Sequence, residues 1–528
     1  MNRKLVTLIL AAVVLTPVSA RQGRADDSAA ALTDKRYVDY VRQCVDLLIK
    51  HGTDRYGKTS APILVSILDV QTRDCPENPE RLDEAWRVTR RERRNPAGAN
   101  LLTDQPLLKT MYALSAATGD EKYAAAARAY SDHYMKNLVD EKGFFWWGWH
   151  RHYDVFKNTK SGHAGNHHEI HAINGIDWES LWDANPEAVR SEIEAIWKWH
   201  VVDKKTGEIN RHGDGRRGCD FSMSAGTFIE AFAFLYTKTR EEMWLDRAIL
   251  LADYYWTRRN PETNLFPERP NAGQGRFDGS CFVTAITGPY CHSLLKAHEL
   301  TGEEVFKTQA VALLEAYSRL GFDKETGKFW GALKMDGTPL PGPRAIGGYA
   351  QYEPRGHLDL WEPYVAGYQF PIYTAQAYVY AHHLTKDKEM LVAARRFADW
   401  IAECPPSDGC MQESWYKGYA TEYAPQGTHA GKYGRTISFY IHLYIVTKEN
   451  GYLDDARKMA DCAVKKLYHK GLFRGHPAKP YYEAMDGVGY LLYALLELDL
   501  VIRNPEAVLS RQAIFVGKEN KRMALDNR

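Results

Sequence analysis

The chain has 528 residues, 45% hydrophobic, 26% charged and 12% aromatic, which is the profile of a globular protein and excludes disorder or a fibrous architecture. Its 68 lysines and arginines stand against 67 aspartates and glutamates, so a formal charge of +1 provides no chain-wide field for gripping nucleic acid or an anionic membrane. An acidic ligand must be held by a local basic patch.

Residues 1–20 read as an export signal, with Arg3 and Lys4 at a charged start, an apolar run from Leu5 to Leu15, and the small-residue cleavage site Val18, Ser19, Ala20. No other stretch is long and apolar enough to cross a membrane, so the expected product is exported, either periplasmic or secreted. Eight cysteines are too few to staple so long a chain. Cys404 and Cys410 flank a Pro-Pro-Ser-Asp-Gly stretch and could close a short loop, whereas Cys44, Cys291 and Cys462 fall in helical patterns and read as buried thiols.

A motif of Thr, then an aromatic residue or Met five positions on, then an acid fourteen positions on, recurs five times. Its copies are Thr118, Tyr123, Asp132; Thr239, Trp244, Asp253; Thr301, Phe306, Glu315; Thr385, Met390, Asp399; and Thr447, Tyr452, Asp461. An apolar helix precedes each Thr, over Pro106 to Ala117, Thr227 to Tyr236, Cys291 to Leu300, Tyr373 to Leu384 and Ser438 to Val446. The Thr sits at a tight turn, acids follow where a helix N-terminus favours negative charge, and the large apolar residue starts the buried stripe of a second helix. With an opening helix near Lys35 to Lys50 and a closing one at Tyr482 to Val501, the pattern predicts an all-α fold. It is an α/α toroid, or barrel, of six or seven helical hairpins over residues 30–505, with a charged tail over 506–528. An open stack of the same pairs fits the pattern too. The Gly loops Asp140 to Gly143, Asp203 to Gly207 and Asp323 to Gly327 should emerge on one side, and the Pro- and Gly-rich stretch Gly337 to Gly356 reads as a long loop over one face.

Six of the nineteen histidines, His150, His152, His163, His167, His168 and His171, fall within twenty-two residues. A zinc-protease motif needs Glu directly after the first of two His four apart, and Glu169 comes one position too late. His150 follows Gly143 and His212 follows Gly207 at similar distances, so these two imidazoles and the Glu169 carboxylate could converge on one divalent transition ion. His152, His163 and His171 read as ordinary surface or hydrogen-bonding histidines. Trp146, Trp147 and Trp149 either pack in the core or rim or form a platform on which sugar rings stack. Arg151, Arg216, Arg217 and Arg355 are either solvated charges or partners for carboxylates, which guanidinium grips in a two-pronged fork.

The run Phe144 to Arg151 (FFWWGWHR), the pair His168-Glu169, the stretch Trp178 to Ala188, Trp197 to His200 and the segment Asp203 to Gly213 resemble family 2 polysaccharide lyases, pectate lyases built on an α/α barrel. The resemblance implies that His150, Glu169 and His212 ligate the metal and that Arg211, otherwise a surface salt-bridge residue, is the catalytic base. It implies a manganese-like divalent ion, with calcium, nickel, cobalt or zinc as alternatives, and an acidic polysaccharide substrate, homogalacturonan before other polyuronates. A glycoside hydrolase on a similar toroid would need two carboxylates flanking the bond, for which Asp154, Asp177 and Glu179 are available. A carbohydrate-binding toroid without catalysis would need neither ion nor Arg211. Because an arginine base is protonated below a pKa of about 12, the elimination rate should rise toward alkaline pH; a rate peaking below neutrality contradicts the assignment of Arg211.

Overall fold

The computed structural model describes residues 36–79, 98–162, 167–171, 175–269, 281–342, 353–361, 369–406 and 427–503. The expected signal segment 1–20, the tail 506–528, His163 and Cys410 lie outside them. The helices in chain order are α1 Tyr37–Gly52, α2 Leu101–Thr118, α3 Lys122–Asn137, α4 Trp178–Ala184, α5 Pro186–Ala195, α6 Ser222–Thr239 and α7 Glu242–Trp256. They continue as α8 Cys291–Thr301, α9 Glu304–Leu320, α10 Pro371–Thr385, α11 Lys388–Glu403, α12 Ala430–Thr447, α13 Asn450–Leu467 and α14 Val488–Arg503. Between them run short two-stranded antiparallel ribbons.

Each recurring Thr is the last residue of the first helix in a hairpin, and its hydroxyl closes the turn. In α2, α6, α8, α10 and α12 it donates to the carbonyl four residues back, and it accepts from the N–H two residues on. The residue between is left-handed in every copy: Gly119, Arg240, Gly302, Lys386 and Lys448, with φ from 60° to 81°. A chain leaving that conformation turns back on itself, and Tyr123, Trp244, Phe306 and Met390 are buried at the start of the returning helix.

The first helices line the interior and the second helices wrap them. In α2 every residue from Leu101 to Ser115 is buried, whereas α13 buries the stripe Leu453, Ala456, Met459, Ala460, Ala463, Val464 and Leu467, spaced for one helical face. Six sequential hairpins result, α2/α3 to α12/α13, and α14 pairs with α1 to make a seventh among the described residues. The stack is a closed ring, because α14 packs against both α12 and α2. Its backbone touches α2 so closely that a Cβ on Gly489 would stand 2.4 Å from the Leu107 nitrogen and 2.8 Å from the Pro106 carbonyl carbon. Thr110 donates across this joint to the Gly489 carbonyl at 3.2 Å. On the other side, a Cβ on Gly434 of α12 would meet the Tyr490 carbonyl carbon at 2.5 Å.

The closing helix begins later than the sequence pattern indicates. Tyr481–Glu483 is a strand paired antiparallel with Ile67–Asp69, and Gly487, at φ 81°, breaks the chain before α14 starts at Val488. Cys44 and Cys291 are buried thiols as expected, and Cys462 is partly covered. The ends of the Gly337 to Gly356 stretch meet, Gly356 N–H donating to the Leu340 carbonyl. Gly489→Ala should lower stability by ~1–3 kcal/mol through backbone overpacking at the joint, read as a lower midpoint in urea unfolding.

Candidate metal and catalytic site

The loops that carry the site are shaped by aspartate-capped glycine turns. Asp140 Oδ1 accepts from Lys142 and Phe144 N–H, and Asp203 Oδ1 from Lys205 and Thr206 N–H. Gly143 and Gly207 complete these turns at φ 92° and 85°. After the first turn the chain crosses the segment bearing Glu169: Trp149 N–H donates to the Glu169 carbonyl at 3.1 Å. A Cβ on Gly148, at φ 111°, would lie 2.7 Å from that carbonyl oxygen, so only glycine permits the crossing. Asn100, which caps α2, anchors the same loop by donating to the Gly148 and Arg151 carbonyls. After the second turn, Asn210 Oδ1 accepts from His212 N–H, a local turn from which Arg211 and His212 project.

These crossings bring together the four residues that the sequence nominated. His150 Nε2 lies 2.6 Å and His212 Nε2 3.5 Å from Glu169 Oε2, and Arg211 Nε stands 3.5 Å from Oε1. Arg211 Nε–H also donates to His212 Nε2 at 3.1 Å. One donor atom from each of His150, Glu169 and His212 lies within 4.8 Å of the other two. Ligands ~2.1 Å from a common ion stand about 3–4 Å apart, so two imidazoles and a carboxylate in this arrangement fit a divalent metal with small shifts. Glu169 is 2% exposed. Burial would raise its pKa, but Arg211, His212 and His150 outweigh that and hold the carboxyl well below its ordinary value.

Two further histidines face the cluster. His171, expected to be ordinary, donates from Nε2 to Glu169 Oε1 at 2.9 Å, and the ring of His167 stacks on His212 at 5.0 Å between centroids. The signal was alternation. In an extended segment residues two apart share a face, so 167, 169 and 171 turn to the site while His168 and Ile170 are buried in the core.

The substrate-contact candidates fare differently. Trp147 has no exposed surface and its indole N–H lies 2.9 Å from Glu192 and 3.0 Å from His168, so it packs in the core and offers no face to a sugar. Arg151 is likewise buried, ion-paired to Asp140 at 2.8 Å and donating to the Phe145 carbonyl, which leaves no free fork for a carboxylate. Trp149 is buried against His171. Trp146 is partly exposed, with Arg151 over one face and its N–H on the His152 and Ser161 carbonyls. Arg216 pairs with Asp214, Arg217 with Asp203 and Glu208, and Arg355 with Glu353. Of the carboxylates available to a hydrolase, Asp177 caps α4, Asp154 pairs with Lys157, and Glu179 pairs with Lys238 of α6.

The fold and site together define an all-α toroid with a histidine, carboxylate and guanidinium centre at its loops. Residues 80–223, which hold His150, Glu169, Arg211 and His212, match the family described as periplasmic pectate lyase. The chain is also 31% identical over 130 residues to a pectate disaccharide-lyase of Dickeya dadantii (strain 3937), a match spanning 23% of each protein. Among solved structures it is similar to a family 76 glycoside hydrolase from a bovine Bacteroides thetaiotaomicron strain (13% identity, TM-score 0.46, covering 88% of this chain and 78% of that one). It is similar also to an unsaturated glucuronyl hydrolase from Bacillus sp. GL1 (13% identity, TM-score 0.46, covering 88% and 96%).

Gly148→Ala should push the His150 loop off Glu169, costing ~1–3 kcal/mol in urea unfolding, whereas Gly215→Ala, where a Cβ meets nothing within 4 Å, should cost less.

Proposed function

We propose that the chain is an exported, metal-dependent polysaccharide lyase that cleaves a polyuronate, homogalacturonan first among them, by β-elimination. The observation that carries this reading is the meeting of His150, Glu169 and His212 donor atoms with the Arg211 guanidinium beside them. His150, Glu169 and His212 hold a divalent ion. When bound, the ion supplies Lewis acidity, drawing charge from the substrate carboxylate as the adjacent carbon loses its proton.

Arg211 takes the proton from that carbon, C5 of the uronate. The released pair forms the C4–C5 double bond, the C4–O4 bond breaks, and the departing oxygen takes a proton from solvent water, while the C5 proton stays on Arg211 until solvent removes it. The products are one unsaturated sugar end and one new reducing chain. Near-burial of Arg211 and its contact with the Phe221 ring, 5.5 Å from the guanidinium carbon, fix its direction and keep water from competing for the proton. His171 and His167 border Glu169 and His212 and complete the imidazole rim that a sugar carboxylate would meet.

Incubation with polygalacturonate should generate the near-ultraviolet absorbance of an unsaturated uronate, and a chelator should abolish it until divalent ion is restored. Saturated products insensitive to chelation would point instead to a hydrolase. Arg211→Ala should reduce kcat by about 10²–10⁴ while Mn²⁺ still binds in calorimetric titration; unchanged kcat rejects Arg211 as the base.

A further inference from the structure

Beneath the site lies a polar chain that the proposed chemistry does not use. Glu192 of α5 and His200 have no exposed surface, and His168 is 2% exposed. Glu192 Oε2 accepts from the Phe145 N–H at 2.6 Å, and Oε1 lies 2.9 Å from Trp147 Nε1 and 3.0 Å from His168 Nε2. His168 Nδ1 is 2.7 Å from His200 Nε2, and His200 Nδ1 is 2.7 Å from the Asn210 carbonyl oxygen. Phe144 stacks on His168 at 3.9 Å and lies against His200, sealing the chain from water.

Proton positions follow from the far end. A carbonyl only accepts, so His200 Nδ1 carries hydrogen and its Nε2 offers a lone pair. His168 therefore donates from Nδ1, and its Nε2 can accept from a protonated Glu192. Every group is then satisfied without charge. The alternative, an imidazolium facing a carboxylate, would bury two ions away from water. Burial agrees, pushing the Glu192 carboxyl up to about 8.

The chain touches three backbone segments, and each carries part of the site. Phe145 and Trp147 lead to His150, His168 precedes Glu169, and Asn210 precedes Arg211 and His212. We propose that Glu192, His168 and His200 are positioning residues, one buried uncharged hydrogen-bond chain that holds the three ligand-bearing segments in register. This rests on the reading of His150, Glu169 and His212 as metal ligands. Outer partners of metal ligands typically govern affinity by 10–100-fold, although none of these three side chains need touch the ion.

The test uses the full chain and Mn²⁺ as probe, with calorimetric titration well below the unfolding transition and thermal unfolding measured alongside. His200→Phe keeps the packing against Phe144 and Phe228 but deletes both hydrogen bonds, and it should weaken Mn²⁺ binding by about 10–100-fold while unfolding stays cooperative. Glu192→Leu should weaken it similarly, and Glu192→Gln should recover most of the loss, since an amide N–H can still donate to His168. This second pair decides the matter if His200→Phe fails to fold. Wild-type affinity in folded His200→Phe, or Glu192→Gln binding no better than Glu192→Leu, overturns the proposal alone. A wild-type chain that binds no Mn²⁺ overturns the ligand reading and this role with it.

Discussion

The site depends on a backbone crossing. Residues 148 and 149 pass over Glu169 so closely that the Gly148 position has no room for a side chain, and the Trp149 N–H is bonded to the Glu169 carbonyl. That contact sets His150 against the Glu169 carboxylate although nineteen positions of chain separate them. Once it is made, a carboxylate with almost no access to water faces the imidazoles of His150, His171 and His212 and the Arg211 guanidinium. It stays ionised because those partners outweigh the cost of its burial. A cluster of this kind concentrates charged and polar groups in a place with almost no access to water.

Much of the architecture was legible because it is repeated. The Thr motif names a physical device, a hydroxyl that closes one helix and collects the turn's next N–H, and five copies made it visible where one would not have been. Closure of the ring was not legible, since an open stack would bury the same helix faces; it rests on Gly489 and Gly434, two glycines inside helical patterns that carry no periodic signal. The start of α14 was misplaced for a related reason. Tyr481 to Glu483 are apolar enough to extend the helix but are claimed by a partner strand more than four hundred residues away in sequence.

The site divides in the same manner. His150, Glu169, Arg211 and His212 were identified from residue type, spacing and family likeness, and they do meet. The tryptophan run was harder, because adjacent residues face opposite ways: Trp146 reaches the surface and Trp147 the core, so a cluster in sequence is not a platform in space. His171 was passed over because single histidines are usually ordinary, yet its two-residue offset from Glu169 in an extended segment put it on the same face.

The seventh helix pair joins the two ends of the described chain. Arg36, just before α1, is ion-paired with Asp499 of α14, 463 positions later, and Val38 N–H reaches the same carboxylate. The other six pairs are local and can form as they emerge, but this last one cannot exist until nearly the whole polypeptide is available. Ring assembly therefore ends in a slow, long-range docking step of high contact order. Until that step is complete, the apolar flanks of α1, α2 and α12 stay uncovered, so the unclosed stack is the form of this chain most exposed to association with other copies.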